Sequence, residues 1–171
     1  GHAEGVTDSG ALWSWIAEQF DASFSWDDLD WLRNQWQGKI ILKGILDADD
    51  AEIAAKLGYD GIVVSNHGGR QLDGAPSSIS ALPTVIDKVG NKMEVYMDGG
   101  VRSGQDICKA LCIGAQGVLI GRPFLYGLGA YGKNGVTKCL EIMRDSLDES
   151  IAFLGEKNVS DLGRKNILYE N

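Results

Sequence analysis

From residue 39 to residue 121 the chain alternates short apolar runs with amphipathic stretches, and this alternation constrains the fold more than any other feature. The runs at 39–43, 61–65, 93–98 and 117–121 are too short for stable helices and read as strands. Helical patterns occupy 48–57, 80–89 and 104–113 between them. Strand and helix in turn, joined by short connections, make βα units, and βα units make a parallel sheet. The expected class is α/β.

A weak internal repeat sharpens that expectation. When the chain is slid by about 56 residues, Gly58-Tyr59-Asp60-Gly61-Ile62-Val63-Val64 meets Gly114-Ala115-Gln116-Gly117-Val118-Leu119-Ile120, and Asp50 meets Asp106. One period holds two strands and two helices, which suggests two quarters of a (β/α)8 TIM-barrel type; convergence on a common βα grammar would give the same pattern. A closed barrel of that type takes about 250 residues. At 171 residues this chain supplies about half, four parallel strands with their helices. Such an open sheet exposes two edges and one apolar face. A missing N-terminal half of the barrel, a second copy of the chain, or membership of a longer protein would each cover them, and a homo-oligomer is expected.

The flanks are helical. Segments 9–20 and 26–36 are amphipathic, the second opened by Ser25 with Asp28 three residues on, as in a capping box. Trp13, Trp15, Trp26, Trp31 and Trp36 all lie here and are expected to be mostly packing residues. Towards the other end Val136, Leu140, Met143, Leu147, Ile151 and Leu154 mark one face of a long helix, expected to pack outside the sheet.

The net charge of -8 repels nucleic acid and anionic membrane surfaces, so any bound anion must be held locally. No apolar stretch approaches the roughly 20 residues of a transmembrane helix, and no basic segment with an apolar core opens the chain. A cytoplasmic location is expected. Cys108, Cys112 and Cys139 lack Cys-x-x-Cys spacing and read as packed free thiols, with no metal site.

Three loops at strand ends carry the chemistry. After the run 61–64 comes Ser65-Asn66-His67-Gly68-Gly69-Arg70-Gln71-Leu72-Asp73-Gly74. An imidazole and a guanidinium three residues apart at the mouth of a parallel sheet are suited to removing a proton from a small organic acid. The only other histidine is His2, so imidazole chemistry in the body of the chain rests on His67. After the third strand, Asp98-Gly99-Gly100-Val101-Arg102-Ser103-Gly104 leads into a helix whose free N–H groups favour an anion. Gly121-Arg122-Pro123 follows the fourth strand, with Pro123 suited to a first helical turn. Two consecutive βα loops, each with an arginine, are where eightfold barrels commonly hold a phosphate. Lys43 ends the first strand and would project from the same rim.

Together with Ile41-Leu42-Lys43-Gly44-Ile45-Leu46 and Leu119-Ile120-Gly121-Arg122-Pro123, these segments closely resemble the FMN-dependent 2-hydroxy-acid oxidase and dehydrogenase family, whose members include glycolate oxidase, lactate oxidase and mandelate dehydrogenase. The resemblance runs over nearly the whole chain, and His67-Gly68-Gly69-Arg70 is its most specific element. It implies oxidation of a small 2-hydroxy acid to the 2-oxo acid, with FMN as cofactor. His67 would be the active-site base and contact the substrate, Arg70 would bind its carboxylate, and Lys43 would sit by flavin N1 and the C2 carbonyl and stabilise the reduced flavin. Ser65 would also contact the flavin, Asp98 would hold the ribityl chain, and Gly99, Gly100, Val101, Arg102, Gly121 and Arg122 would hold the phosphate.

The resemblance reaches only the C-terminal half of the family's barrel. The four earlier strands, a second carboxylate-binding arginine and an aspartate that orients the base have no counterpart here. The implied organisation is a single domain over 1–171, with an active-site loop and short helix at 1–24, four βα units at 25–132, and a C-terminal helix and tail at 133–171. The alternative is a catalytically incompetent half-barrel that self-associates or only binds phosphate or FMN.

Overall fold

In the computed structural model, which describes residues 8–168, the apolar runs pair as one all-parallel sheet in chain order. His2 and the first seven residues of the 1–24 segment lie outside the described residues. The chain divides into two compact units, Gly1–Gly38 and Lys39–Asn171.

In the first unit, α1 (Ser9–Glu18) is capped by the Asp8 carboxylate, which accepts from the Ala11 N–H at 2.9 Å. Helix α2 (Asp28–Gln35) follows the turn in which Asp28 accepts from both the backbone and the hydroxyl of Ser25. Leu29 is the one buried residue of α2, and α1 buries none. Trp13, Trp31 and Trp36 are exposed, so packing does not account for them as expected.

The second unit holds the sheet. Strand β1 is Ile41–Ile45, two residues later than the sequence pattern suggests. Ile40 is held instead by Asp60, whose carboxylate accepts its N–H at 2.8 Å, and a bulge at Gly44 (φ +104°) carries the strand on to Ile45. Lys43 is therefore the residue before a bulge rather than the strand's last. Strand β2 (Gly61–Val64) is buried throughout, and β3 (Glu94–Met97) alternates half-buried and buried positions. The ladder continues past both, since Ser65 N–H donates to Ile45 C=O and Asp98 N–H to Val64 C=O. Strand β4 is only Gly117–Val118, shorter than the expected 117–121, because its pairing with β3 ends at the bond from Leu119 N–H to Met97 C=O.

Helices α3 (Ala48–Lys56), α4 (Ser78–Val89) and α5 (Gly104–Ile113) connect the strands. Ile62, Val64, Val95 and Met97 share one face in register and are at most 2% exposed, each contributing about 1.5–3 kcal/mol on burial. The other face carries Ile41, Lys43, Val63, Glu94 and Tyr96 and is only partly covered: Val63 is buried, Glu94 and Tyr96 are half-buried, and Ile41 on the edge strand is 43% exposed. An all-parallel sheet normally has both faces covered, so this is half of a barrel wall with its interior side incompletely covered.

Helix α6 runs Arg122–Phe153 and is broken at Tyr131 and Gly132 (φ +56°). Its second part packs along α5, with the backbone of Ser146 and Leu147 seated on Gly104. Met143 and Ile151 of the expected face are buried, whereas Leu140 and Leu154 at its ends are exposed. Cys108 and Cys112 are buried free thiols, and burial, then the neighbouring Cys108, pushes the Cys112 thiol up to about 11. Among the described residues no helix is long and apolar enough to cross a membrane.

Candidate functional site

A cavity of about 300 Å³ opens at the C-terminal rim of the sheet, lined by Lys43, His67, Arg70, Asp98, Gly99, Gly100, Val101, Arg102, Gly121 and Arg122 among others. Loops from four successive strands thus deliver all but one of the expected residues to one place. The exception is Ser65, which is 3% exposed and lies behind Lys43, accepting a hydrogen bond from its Nζ at 3.1 Å. Val101 lines the cavity but is itself buried, at 4% exposure.

The loop that carries His67 is a single 3-10 turn, His67–Gly69, capped by Asn66, whose Oδ1 accepts the Gly68 N–H at 3.0 Å. His67 stands at φ +55°, the one non-glycine at positive φ among the described residues, and its N–H donates to Ser65 Oγ at 3.0 Å. His67 and Arg70 are exposed on this loop. Arg122 reaches across from α6 and donates to the Gly68 carbonyl at 3.4 Å.

The electrostatic centre is Lys43, with its Nζ 3.0 Å from Asp98 Oδ2. The other carboxylate oxygen, Asp98 Oδ1, is buried without a hydrogen-bond partner among the described residues. A buried acceptor left open beside a cavity fits a ligand that brings hydroxyl donors.

The anion end differs from expectation in one respect. The N–H groups of Arg102 and Ser103 both donate to Asp106 Oδ2 at 3.0 Å, so the capping box of α5 already occupies amides expected to be free. Helix α6, by contrast, starts without a side-chain cap at Gly121, and Gly121, Arg122 and Pro123 line the cavity. The donors open to an anion are the Arg102 and Arg122 guanidiniums and the first turn of α6.

Sequence reasoning missed Leu119, Ile120 and Leu125 as apolar walls, and missed the hydroxyl of Ser78, which accepts the Asn66 N–H at 3.1 Å. The Ile120-Gly121 strand end signalled the first group; Ser78 lay hidden because α4 was expected to start at residue 80.

The family model for FMN-dependent dehydrogenase matches residues 2–169. The chain is 47% identical over 162 residues to an L-lactate dehydrogenase of Caulobacter vibrioides, covering 95% of this chain and 42% of that protein. It superposes on the crystal structure of a monotopic membrane protein, (S)-mandelate dehydrogenase, with a TM-score of 0.87 and 40% identity, over 94% of this chain and 43% of that one. A flavocytochrome b2 variant with pyruvate bound gives a TM-score of 0.81 at 42% identity, over 85% of this chain and 39% of that one. The chain spans less than half the length of these relatives, and within that span the match in sequence and fold is nearly continuous. The chain belongs to the FMN-dependent dehydrogenase family.

Proposed function

We propose that this chain forms the C-terminal half of an FMN-dependent enzyme that oxidises a small 2-hydroxy acid, such as lactate, glycolate or mandelate, to the 2-oxo acid. The observation that carries the reading is the single cavity in which a base, a carboxylate-binding cation, a fixed lysine and two anion-binding arginines converge. The residues fit the cofactor: Asp98 Oδ1, buried and unpartnered among the described residues, would accept from the ribityl hydroxyls, and Arg102 and Arg122, with the Gly99, Gly100, Val101 and Gly121 backbone, would hold the phosphate.

Arg70 grips the substrate carboxylate with two parallel hydrogen bonds and so fixes the α-carbon. A ring nitrogen of His67 takes one of the two protons the hydroxy acid gives up. FMN, when bound, would supply the acceptor for the two electrons and the other proton. Lys43, held by Asp98 and backed by Ser65, keeps a positive charge where reduction builds negative charge. The open sheet face, with Ile41 43% exposed, supports action together with the remaining half of the barrel, within a homo-oligomer. A cytoplasmic location belongs to the same proposal, and cell fractionation distinguishes it from a membrane surface.

The test is anaerobic addition of lactate, glycolate and mandelate to the flavin-loaded protein while the visible flavin band is followed. Bleaching by one acid and not in His67→Gln is expected. The open face also favours a second reading, a self-associating half-barrel without catalysis; a concentration-dependent dimer that stays folded and binds no flavin would establish it.

A further inference from the structure

The two ends of the site sit on separate loops, His67 after β2 and Gly99 after β3, and these loops touch at one point. Ser78, the first residue of α4, is 2% exposed. Its Oγ accepts the Asn66 N–H at 3.1 Å and donates to Asn66 Oδ1 at 3.5 Å. That Oδ1 also accepts from Gly68 N–H at 3.0 Å, and Asn66 Nδ2 donates to the Pro76 carbonyl at 3.3 Å. Both oxygens close over Gly99, where a Cβ would come within 2.8 Å of Asn66 Oδ1 and 2.9 Å of Ser78 Oγ. Neither Asn66 nor Ser78 lines the cavity.

His67 needs such support. A non-glycine residue in the left-handed region costs about 1–2 kcal/mol, so its conformation at φ +55° persists only when its neighbours dictate it. The bonds that dictate it run through Ser65 on one side and Asn66 on the other, and Asn66 is itself anchored to the buried hydroxyl of Ser78.

We propose that Asn66 and Ser78 are positioning residues: they lock the His67 loop to the first turn of α4, close over Gly99 where only a glycine fits, so that base and anion site keep one fixed spacing. The functional meaning of this lock rests on His67 being the base, but the lock itself does not. Its effect is transmitted through backbone N–H groups, which is why neither side chain needs to reach the ligand.

The experiment uses the imidazole of His67 as reporter. His67 is one of two histidines, so its Cε1–H resonance is assigned by the peak that remains in His2→Gln. The unmodified chain gives a single His67 resonance and a protected Gly68 amide. In Ser78→Ala and Asn66→Ala the resonance moves towards that of a free imidazole and Gly68 exchange rises about tenfold, the loss of roughly one hydrogen bond. Ser78→Thr, which keeps the hydroxyl, retains the unmodified behaviour, and affinity for inorganic phosphate changes less than about twofold in all three. Should Ser78→Ala fail to fold, Asn66→Ala at its half-buried site gives the same reading. Folded variants with an unchanged His67 resonance and unchanged Gly68 exchange overturn the proposal. If the resonance moves as expected but no hydroxy acid bleaches flavin, the base assignment fails and the lock stands.

Discussion

Lys43 Nζ on β1 and Asp98 Oδ2 at the end of β3 lie 3.0 Å apart, bridging the rim above β2, the lysine side chain 43% and the aspartate 17% exposed. A partly exposed pair of this kind is worth about 0–1 kcal/mol to stability. Its place in the cavity suggests another use, because the pair holds a cation still while one carboxylate oxygen stays open. Lys43→Met should therefore shift the melting temperature little and weaken FMN binding by about tenfold, the cost of one charge-assisted bond. Thermal denaturation and flavin-fluorescence titration of the same variant separate the two effects.

Arg70 and Arg102 both line the cavity, and the different roles proposed for them mean that they should fail differently. Arg102→Met should weaken FMN by about 10–100-fold, as removal of a charged hydrogen-bond donor costs about 1.5–3 kcal/mol. Arg70→Met should leave FMN bound and raise the concentration of hydroxy acid needed for reduction by a similar factor. Equal effects of both variants on flavin alone would refute the role of Arg70.

Glu156 provides a test of pH dependence away from the site. Hydrogen bonds from Asn166 and from Lys165 hold its carboxyl below the ordinary value of 4.5. A carboxyl lowered in the folded state stabilises fully above its unfolded value and loses that contribution as pH falls through the folded one. Melting temperatures of the unmodified chain and Glu156→Gln should differ at about pH 7 and converge as pH falls below about 4.5. A constant gap would show that the carboxylate does not titrate with folding.

Burial and a raised value make Cys112 a poor nucleophile, and Cys108 is equally buried. Of the three thiols, Cys139 alone is partly exposed and should react with a disulfide reagent in the native chain. The other two should react only after denaturation, which thiol counting with and without denaturant decides.

Gly104 meets the backbone of Ser146 and Leu147, and a Cβ there would fall 2.7 Å from the Leu147 Cα. The obstacle is backbone, which cannot swing aside, so Gly104→Ala should cost about 3 kcal/mol, at the upper end for overpacking. Chemical denaturation measures this; a loss below about 1 kcal/mol would mean that α6 is free to move off α5.

The strand and helix grammar was legible because βα units impose local periods of two and of 3.6. What the sequence hid was non-local. Strand β1 begins late because Asp60 takes the Ile40 N–H, and it extends because Gly44 bulges, both facts about its neighbour β2. The rim residues were readable one by one from their place after apolar runs, since a parallel sheet sends every such loop to the same end. The closure of the α5 amides by Asp106 was visible in Ser103-Gly104-Gln105-Asp106, yet the same turn also reads as an open anion site. The pairing of Asn66 with Ser78 gave no signal, because the two are twelve residues apart and meet only where α4 starts, close over Gly99.

The most direct test of the account is a comparison of FMN with riboflavin in fluorescence-quenching titrations of this chain. The two ligands differ only in the phosphate that Arg102, Arg122 and the start of α6 are assigned to hold. FMN should bind at least about tenfold more tightly, inorganic phosphate should compete with it, and Arg102→Met should narrow the difference. Equal affinity for both flavins, or binding of neither, would contradict it.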